Sequence, residues 1–264
     1  MVIVKTEFDY FKDEFYKITN VNLHQYHKEQ MERRVRNFLS SYFSVEKEDK
    51  HIFSMAVEEL RKNRSFQVTI YDAITINHSY FFRNKQQWDY LANLIKDNQW
   101  RELKIWSAGC SSGEEPYTLA MILKTCFPTL RFTIYASDID KKIIEKAKEG
   151  IYDRFSLERE IDDTYLHKYF VQKEDKFYLD PQIKTSVQFK EHNLLDKPFE
   201  KQFDIVICRN VLIYFSAEGK ETIHSHFSQS LKQKGVLFLG PTEQFFNCND
   251  FGFSLLKPSF YLKE

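Results

Sequence analysis

The feature that most constrains the fold of this 264-residue chain is a change of sequence pattern near residue 100. The first hundred residues contain no glycine, and their apolar residues recur at helical spacing, as in Phe8, Phe11 and Phe15. From Leu103 onward, short apolar runs alternate with helix-like stretches. This alternation is typical of βαβ units, and it predicts a doubly wound, mostly parallel sheet that follows a helical N-terminal region.

Two shorter segments add detail to this prediction. A polar stretch from His167 to Phe189 interrupts the alternation and predicts a small inserted β-subdomain at about residues 165–190. The last residues, FGFSLLKPSFYLKE, predict two antiparallel strands that turn near Lys257 and Pro258. We therefore expect an α/β, Rossmann-like fold, with a small helical N-terminal domain at residues 1–84 and the main domain at residues 85–264.

The composition limits the classes of partner and ligand. Lys and Arg together number 38, as do Asp and Glu, so no overall field attracts nucleic acid or an anionic membrane. No stretch approaches the roughly 20 apolar residues of a membrane span, and the start MVIVKTEFDYFKDEF lacks the features of a signal peptide. The four cysteines lie far apart, so we expect reduced thiols and a cytoplasmic protein. The eight histidines have no Cys or acid at metal-ligand spacing, so we expect no metal site.

A glycine-containing turn after the first predicted strand is the first candidate ligand site. Gly109 and Gly113 allow close approach of a ligand, and the following helix begins with Glu114 and Glu115. These two acids suit the helix dipole but repel a pyrophosphate, so a cationic ligand such as S-adenosylmethionine fits better than a dinucleotide. The alternative is that the two glutamates only provide a good helix start.

Polar residues also follow the next three predicted strands. Asp138 ends the second strand, where an acid can bind both ribose hydroxyls of a nucleoside. The alternative role, capping the following helix, suits Asp140 better. Asn193 follows the third strand, and Arg209 and Asn210 follow the fourth. Ligands of doubly wound sheets bind at such carboxyl ends, so the order of these segments predicts a nucleoside-type cofactor.

Six segments together resemble one enzyme family. They are TINHSYFFR at 75–83, IWSAGCSSGEEPYTLAM, ASDID, HNLL, FDIVICRNVLIYF and GVLFLGPTEQ, in this order. They are similar to the chemotaxis-receptor glutamate O-methyltransferases, the CheR family. The resemblance implies an S-adenosylmethionine-dependent methyltransferase that releases S-adenosylhomocysteine. Its implied substrates are glutamates on the cytoplasmic helical bundle of methyl-accepting chemoreceptors, modified for adaptation in bacterial chemotaxis, and we expect a monomer.

The resemblance also implies which residues form the site. The residues implied to line the cofactor pocket are Asn77, Ser79, Arg83, Gly109, Glu115, Asp138, Asn193, Leu194, Arg209 and Asn210. Arg83 and Tyr214 are the two implied to lie nearest the transferred methyl group. The family usually has Thr where this chain has Ser79, and Ser keeps the hydroxyl.

The chemistry of this reaction explains why no catalytic triad stands out. A glutamate carboxylate, with an unperturbed pKa of about 4.3, is ionised at neutral pH, so no general base is needed. Catalysis then depends on positioning and on removal of water from the nucleophile. Arg83 suits the orientation of a carboxylate, and Tyr214 suits a positioning role at the transfer site. A surface salt bridge for Arg83 and a buried aromatic position for Tyr214 are the alternatives.

A basic stretch in the helical region is a candidate docking surface for an acidic receptor. It contains Lys28, Arg33, Arg34 and Arg36, while Met31, Val35 and Phe38 are expected to face the core. Such a helix attracts a partner that presents several carboxylates. The alternative is an ordinary solvated helix face.

Three other functions remain open at this stage. The first is a methyltransferase of the same fold that acts on another carboxylate or on a small molecule. The second is a non-catalytic module that senses S-adenosylmethionine or its product. A nicotinamide oxidoreductase is the least favoured, because the glutamates at the helix start oppose a pyrophosphate.

Overall fold

The computed structural model describes residues 6–75, 77, 79–157, 161–200 and 202–264. The chain divides into two compact units. One unit comprises Met1–Ile76 together with Leu212–Thr222, and the other comprises Asn77–Val211 together with Ile223–Glu264. The domain boundary expected between residues 84 and 85 remains a prediction.

Four helices form most of the first unit, which we call the helical unit. They are α1 (Glu7–Thr19), α2 (Lys28–Phe43), α3 (Ile52–Lys62) and α4 (Arg64–Ile74). The first of them begins with a capping box, in which Thr6 and Asp9 each accept a hydrogen bond from the other's backbone N–H. Phenylalanine rings contribute to the core of the helical unit. The ring centroid of Phe53 lies 5.0 Å from that of Phe8 and 5.6 Å from that of Phe11.

The segment Leu212–Thr222 belongs to this helical unit although it lies far along the chain. The backbone N–H of His27 donates to the carbonyl of Tyr214 at 2.8 Å. The Tyr26 and Phe215 residues form an isolated antiparallel bridge, and their rings lie 4.6 Å apart. Tyr214 is therefore held by the chain that leads into α2.

The second unit, which we call the sheet unit, contains the remaining elements. Its helices are α5 (Lys85–Asn98), α6 (Glu114–Cys126), α7 (Lys141–Glu149), α8 (Arg154–Leu157), α9 (Asp163–Tyr169), α10 (Pro181–Lys184) and most of α11 (Ala217–Ser230). Its strands are β1 (Glu102–Ala108), β2 (Arg131–Asp138), β3 (Ile151–Asp153), β4 (Phe170–Lys173), β5 (Lys176–Leu179), β6 (Val187–Glu191), β7 (Phe203–Cys208), β8 (Leu231–Leu239), β9 (Phe253–Lys257) and β10 (Phe260–Lys263).

Within the described residues, seven of these strands form one sheet in the order β6-β2-β1-β7-β8-β10-β9. The first five pair in parallel, whereas β10 is antiparallel to both β8 and β9. The parallel strands are strongly apolar because helices cover both faces, and Ile105, Ile134 and Ile207 are fully buried. The predicted α/β, Rossmann-like fold and the two antiparallel C-terminal strands are confirmed.

The small sheet consists of β3, β5 and β4 in that order, with antiparallel pairing. Its central hairpin joins Phe170–Lys173 to Lys176–Leu179, within the polar stretch for which an inserted β-subdomain was expected. Strand β6 follows this hairpin and belongs to the large sheet. Within the described ranges, no helix is both long and apolar enough to span a membrane.

The strand order fixes where a ligand binds. From β1 the chain moves outward through β2 and β6, and it then returns to β7 on the other side of β1 and continues to β8. The direction of winding therefore changes between β1 and β7. Open α/β sheets bind ligands at the carboxyl ends of the strands that flank such a switch point. The residues after Ala108 and Cys208 occupy this position.

Candidate active site

The turn after β1 has a backbone that requires glycine. Gly109 has φ +74°, and a Cβ atom there would lie 2.6 Å from Cγ2 of Val211. Its N–H donates to the carbonyl of Ser137 at 2.8 Å, which joins the turn to the end of β2. Gly113, with φ +94°, precedes the first residue of α6. The turn thus approaches the loop after β7 as closely as packing permits.

The two glutamates at the start of α6 have different environments. Glu114 is buried, and both of its carboxylate oxygens accept from the Ser112 hydroxyl at 2.8 Å. The hydroxyl of Ser79 also hydrogen-bonds this carboxylate, and burial raises the pKa of Glu114. Glu115 accepts from Ser107 Oγ at 2.9 Å. Glu114 therefore stabilises the turn, whereas Glu115 is hydrogen-bonded to Ser107 in β1, the strand at the switch point.

Glu115 carries the most informative pKa in this region. Burial raises the pKa of its carboxyl to about 7, although the positive charge of Arg209 opposes the shift. The carboxylate Oε2 lies 3.6 Å from Nη1 of Arg209, beyond a short charge-assisted hydrogen bond. A buried carboxylate with so little direct compensation is suited to bind a cationic group of a ligand.

Asp138 and Asp140, at the end of β2, have separate roles. Asp140 caps α7, with Oδ1 accepting from the N–H groups of Lys142 at 2.9 Å and Ile143 at 3.2 Å. The predicted capping role of Asp140 is confirmed. Asp138 instead accepts from the N–H groups of Ser111 at 2.9 Å and Asp140 at 3.1 Å. Burial raises the pKa of Asp138, so further donors from a ligand stabilise its ionised form.

Arg209 is buried and fixes the backbone of the segment that contains Arg83. Its Nη2 atom donates to the Arg83 carbonyl at 2.7 Å and to Gln87 Oε1 at 3.0 Å. Its guanidinium carbon lies 5.1 Å from the Trp88 ring centroid. Burial lowers the pKa of Arg209, with Glu115 opposing the shift. Arg209 thus links α5, α6 and the end of β7.

The side chain of Arg83 is much less constrained than its backbone. Its guanidinium carbon lies 5.4 Å from the ring of Tyr80. Among the residues that the structure describes, this guanidinium has no hydrogen bond and no ion pair within 4.0 Å. A half-buried guanidinium group without such partners is able to bind a carboxylate.

The loops after β6 and β7 contain the other predicted site residues. Asn193 closes a turn, since its Oδ1 accepts from Leu195 N–H at 3.1 Å. Leu194 is buried, and its carbonyl accepts a hydrogen bond from Nδ1 of His226 at 2.8 Å. Asn210 has φ +61°, and its buried Oδ1 has no partner among the described residues. Such an orphaned acceptor at a switch point indicates a missing donor.

Comparison with known proteins identifies the family. Residues 77–259 match the family model described as the SAM binding domain of CheR methyltransferase. The chain belongs to the CheR methyltransferase family. A chemotaxis protein methyltransferase of Listeria monocytogenes is 37% identical over 98% of both chains. Chemotaxis protein methyltransferase 2 of Vibrio cholerae is 33% identical over 92% of this chain and 87% of that protein.

As a CheR-family member, the chain is an S-adenosylmethionine-dependent methyltransferase, and the polar groups at the switch point suit this cofactor. Two carboxylates that are largely but not fully buried, Glu115 and Asp138, offer acceptors for an ammonium group and for ribose hydroxyls. The buried Ser111 Oγ and Asn210 Oδ1 have no partners within the described residues. Acidic groups dominate over phosphate-binding groups here, which agrees with a cationic cofactor. Within those residues, no cluster of three metal-ligating side chains occurs.

All ten predicted cofactor residues lie in the sheet unit of this CheR-family chain. Asn77 is tied to this region because its Nδ2 donates to Asp140 Oδ2 at 2.8 Å. Tyr214 lies in the helical unit, where the guanidinium of Arg34 is 5.8 Å from its ring. The assignment of individual cofactor contacts, and of Tyr214 to the transfer site, remains a prediction.

The four basic residues predicted for docking do not share one environment. Arg34 is half-buried and donates to the Ile74 carbonyl at 3.0 Å. Arg36 donates to Glu32 at 3.0 Å and to the Lys47 carbonyl at 3.1 Å. Lys28 and Arg33 are exposed. Both are therefore accessible to a partner, although Nζ of Lys28 lies 3.8 Å from Oδ2 of Asp9.

For Glu243 the sequence indicated either a structural role or a position at the pocket edge, and for His226 it indicated no role. Glu243, in the PTEQ segment after β8, accepts from the N–H groups of Asn210 and Val211, each at 2.7 Å. The position of Glu243 soon after a parallel strand indicates a residue near the ligand site. Its hydrogen-bonding partners are backbone N–H groups, which no sequence motif predicts. His226 contacts the Leu194 carbonyl from α11, and nothing in its sequence context predicts this contact.

The pKa of Glu115 predicts a pH dependence of ligand affinity. S-adenosylhomocysteine carries the same ammonium group as the cofactor, and the predicted contact of this group is with ionised Glu115. Because the pKa is raised to about 7, the ionised fraction falls as the pH decreases through 7. We expect the dissociation constant of S-adenosylhomocysteine to rise roughly eightfold between pH 7.5 and pH 6.0, as measured by calorimetry. Glu115→Gln should bind more weakly with a flat profile, and an equally steep profile in this variant contradicts the assignment.

Proposed function

We propose that this chain transfers the methyl group of S-adenosylmethionine to glutamate side-chain carboxylates of chemoreceptors, giving glutamate methyl esters and S-adenosylhomocysteine. The observation that carries the proposal is the family match over residues 77–259, which include Arg83, Glu115 and Asp138. The Listeria monocytogenes relative, a chemotaxis protein methyltransferase, is aligned over nearly its whole length. We further propose that the protein acts as a cytoplasmic monomer.

The chemistry of the proposed reaction needs few protein groups. The bound cofactor supplies an electrophilic methyl group on a sulfonium. The substrate carboxylate is ionised at neutral pH, so no residue of the chain has to remove a proton. The protein has to orient this carboxylate and remove its water. Arg83 is the proposed orienting group, because its guanidinium offers paired donors and has no hydrogen-bonding partner within the described part of the chain.

Other residues have proposed roles in cofactor binding and positioning. Glu115 is assigned to the ammonium group and Asp138 to the ribose hydroxyls, in accord with their burial and acceptor geometry. Tyr214 is assigned to the transfer site, where its hydroxyl and ring help to position the reacting groups. Support for Tyr214 comes from the CheR resemblance, from the contact of its backbone carbonyl with His27 and from the contact of its ring with Arg34.

The test of this function is a methyl-transfer assay followed by alkali. Purified receptor cytoplasmic fragments are incubated with the protein and with S-adenosylmethionine that carries a radiolabelled methyl group. We expect label on the fragment that mild base releases as methanol, because esters hydrolyse whereas methylated amines do not. Base-stable label indicates another nucleophile. Absence of label, despite calorimetric binding of S-adenosylhomocysteine, favours a sensor or a different substrate.

The docking proposal leads to a charge-reversal prediction that uses the two exposed cations of α2. We expect Lys28→Glu with Arg33→Glu to raise KM for the receptor fragment about tenfold at low salt, with little change in kcat. The reason is loss of attraction to an acidic partner. The difference in KM between the double variant and wild type should become smaller in 0.5 M NaCl, because salt screens the attraction.

Two measurements separate docking from damage to the protein. The double variant should bind S-adenosylhomocysteine as tightly as wild type, since neither residue lies in the sheet unit. Lys50→Glu, which reverses another charge of the helical unit outside α2, is the matched control and should keep the wild-type KM. Equal KM values for the double variant and wild type at low salt would remove the docking proposal.

A further inference from the structure

One buried carboxylate has no part in the proposed chemistry. Glu243 lies in the segment after β8, and only 6% of its surface is exposed. Its Oε2 accepts from the N–H groups of Asn210 and Gly240, each at 2.7 Å. Its Oε1 accepts from the N–H of Val211 at 2.7 Å. One carboxylate therefore binds three backbone donors on two separate loops.

The surroundings of Glu243 are shaped for a carboxylate. All three hydrogen bonds have the short length typical of an ionised acceptor. Gly240 has no side chain at the point of closest approach, and a Cβ there would lie 2.4 Å from Glu243 Oε2. A glutamine of the same shape has one acceptor oxygen and one NH₂ group. Its NH₂ would face a backbone N–H, so at least one donor would lose its partner.

This carboxylate fixes the backbone of the loop after β7. Asn210 adopts a left-handed conformation with φ +61°, which is uncommon for residues other than glycine, although asparagine adopts it more readily than most. The adjacent Val211 side chain packs directly over Gly109, where a Cβ would meet it at 2.6 Å. Since Glu243 bonds both N–H groups, it sets the direction of Asn210 and the contact between the two switch-point loops.

We propose that Glu243 is a positioning residue for the S-adenosylmethionine site, and that it acts through Asn210. It holds Asn210 in the left-handed conformation that presents Oδ1, which has no partner among the described residues, to the cofactor, and it positions Val211 against the glycine turn. This inference rests on the proposed cofactor role of Asn210. It does not depend on which substrate receives the methyl group.

The decisive experiment is a double-mutant cycle read by calorimetry with S-adenosylhomocysteine. We expect Glu243→Gln to weaken binding about 20-fold and Asn210→Ala to weaken it about as much. If Glu243 acts through Asn210, adding Glu243→Gln to Asn210→Ala should cost less than a further threefold. Strictly additive losses overturn the inference, as does a Glu243→Gln protein that binds within twofold of wild type.

A matched control separates positioning from general destabilisation. Phe253→Leu removes buried volume on β9 and should lower Tm while leaving the dissociation constant unchanged. If Glu243→Gln fails to fold, Gly240→Ala provides the second variant, because its methyl group displaces the carboxylate without removing its charge. Tenfold or greater weakening in Gly240→Ala supports the inference, and wild-type affinity overturns it.

A wild-type protein that does not bind S-adenosylhomocysteine overturns this inference together with the cofactor assignment. Failure of receptor methylation alone affects only the proposed substrate.

Discussion

Replacing Arg83 with alanine is expected to lower kcat for receptor methylation by about two to three orders of magnitude. The proposed role of its guanidinium is to orient the attacking carboxylate, and positioning errors at a reacting centre cost factors of this size. Arg83→Lys keeps the charge but not the paired donors, so an intermediate loss is expected. Initial rates at saturating receptor fragment measure both effects.

The structure also predicts that the Arg83→Ala protein remains folded. The structural contacts of this residue come from its backbone, since its carbonyl accepts from Arg209 at 2.7 Å and from Trp88 Nε1 at 3.1 Å. Its side chain has only the ring of Tyr80 as a neighbouring cation–π partner within the described residues. Tm should therefore change by less than about 3 °C, a shift that corresponds to about 1 kcal/mol in a domain of this size.

A surface arginine provides the matched control for this experiment. Arg131 pairs with Glu102 at 3.2 Å, and 78% of its side chain is exposed. Exposed pairs contribute little to stability, so Arg131→Ala should match wild type in both rate and Tm. Wild-type turnover in Arg83→Ala would exclude the orienting role. A parallel loss in Arg131→Ala would point to a nonspecific charge effect.

The sequence was most predictive where local rules and the fold agree. Strand β1 was predicted from an apolar run and a change of sequence pattern. The turn after it was predicted from Gly109, which adopts a left-handed backbone conformation. The capping role of Asp140 follows from its place before α7. In each case, the physical requirement involves neighbours in the chain. Such requirements are visible in one sequence.

Side-chain environments that depend on contacts with distant segments of the chain were harder to predict from the sequence. Helical spacing predicted that Met31, Val35 and Phe38 face the core, and Met31 and Val35 are buried whereas Phe38 is only half-buried. Arg34 looked like part of a basic surface, but its guanidinium bonds the carbonyl of Ile74. Contacts between residues 40 positions apart leave no trace in local periodicity.

The adjacent glutamates of α6 illustrate the same limit at the site. The residue pattern alone predicted Glu114 and Glu115 as a pair at a helix start, and only the CheR resemblance distinguished Glu115 as a cofactor residue. The structure separates them, because Ser112 and Ser79 bind the first while Ser107 binds the second. The difference arises from a rotation of about 100° between successive helical residues, combined with the position of β1.

Asp138→Ala is expected to weaken S-adenosylhomocysteine binding about 100-fold, the largest effect on affinity that we predict. Two ribose hydroxyls bound by one ionised carboxylate correspond to two charge-assisted hydrogen bonds, each of about 1.5–3 kcal/mol. Burial raises the pKa of Asp138, so its charge is poorly compensated before the ligand binds. Asp138→Asn retains one acceptor and should show a smaller loss. Calorimetry at pH 7.5 gives the three dissociation constants.

The control for Asp138 lies at the opposite end of the sheet. Asp204, near the start of β7, also accepts from a backbone N–H, that of Lys104 at 2.8 Å, and its second oxygen accepts from Lys232 at 2.6 Å. Asp204→Ala should lower the free energy of unfolding by about 1–3 kcal/mol, as measured with urea, without changing ligand affinity. Asp138→Ala loses comparable contacts to Ser111 and Asp140, so the two variants should differ in affinity far more than in stability. If both variants bind S-adenosylhomocysteine within threefold of wild type, Asp138 supports the turn rather than the ribose.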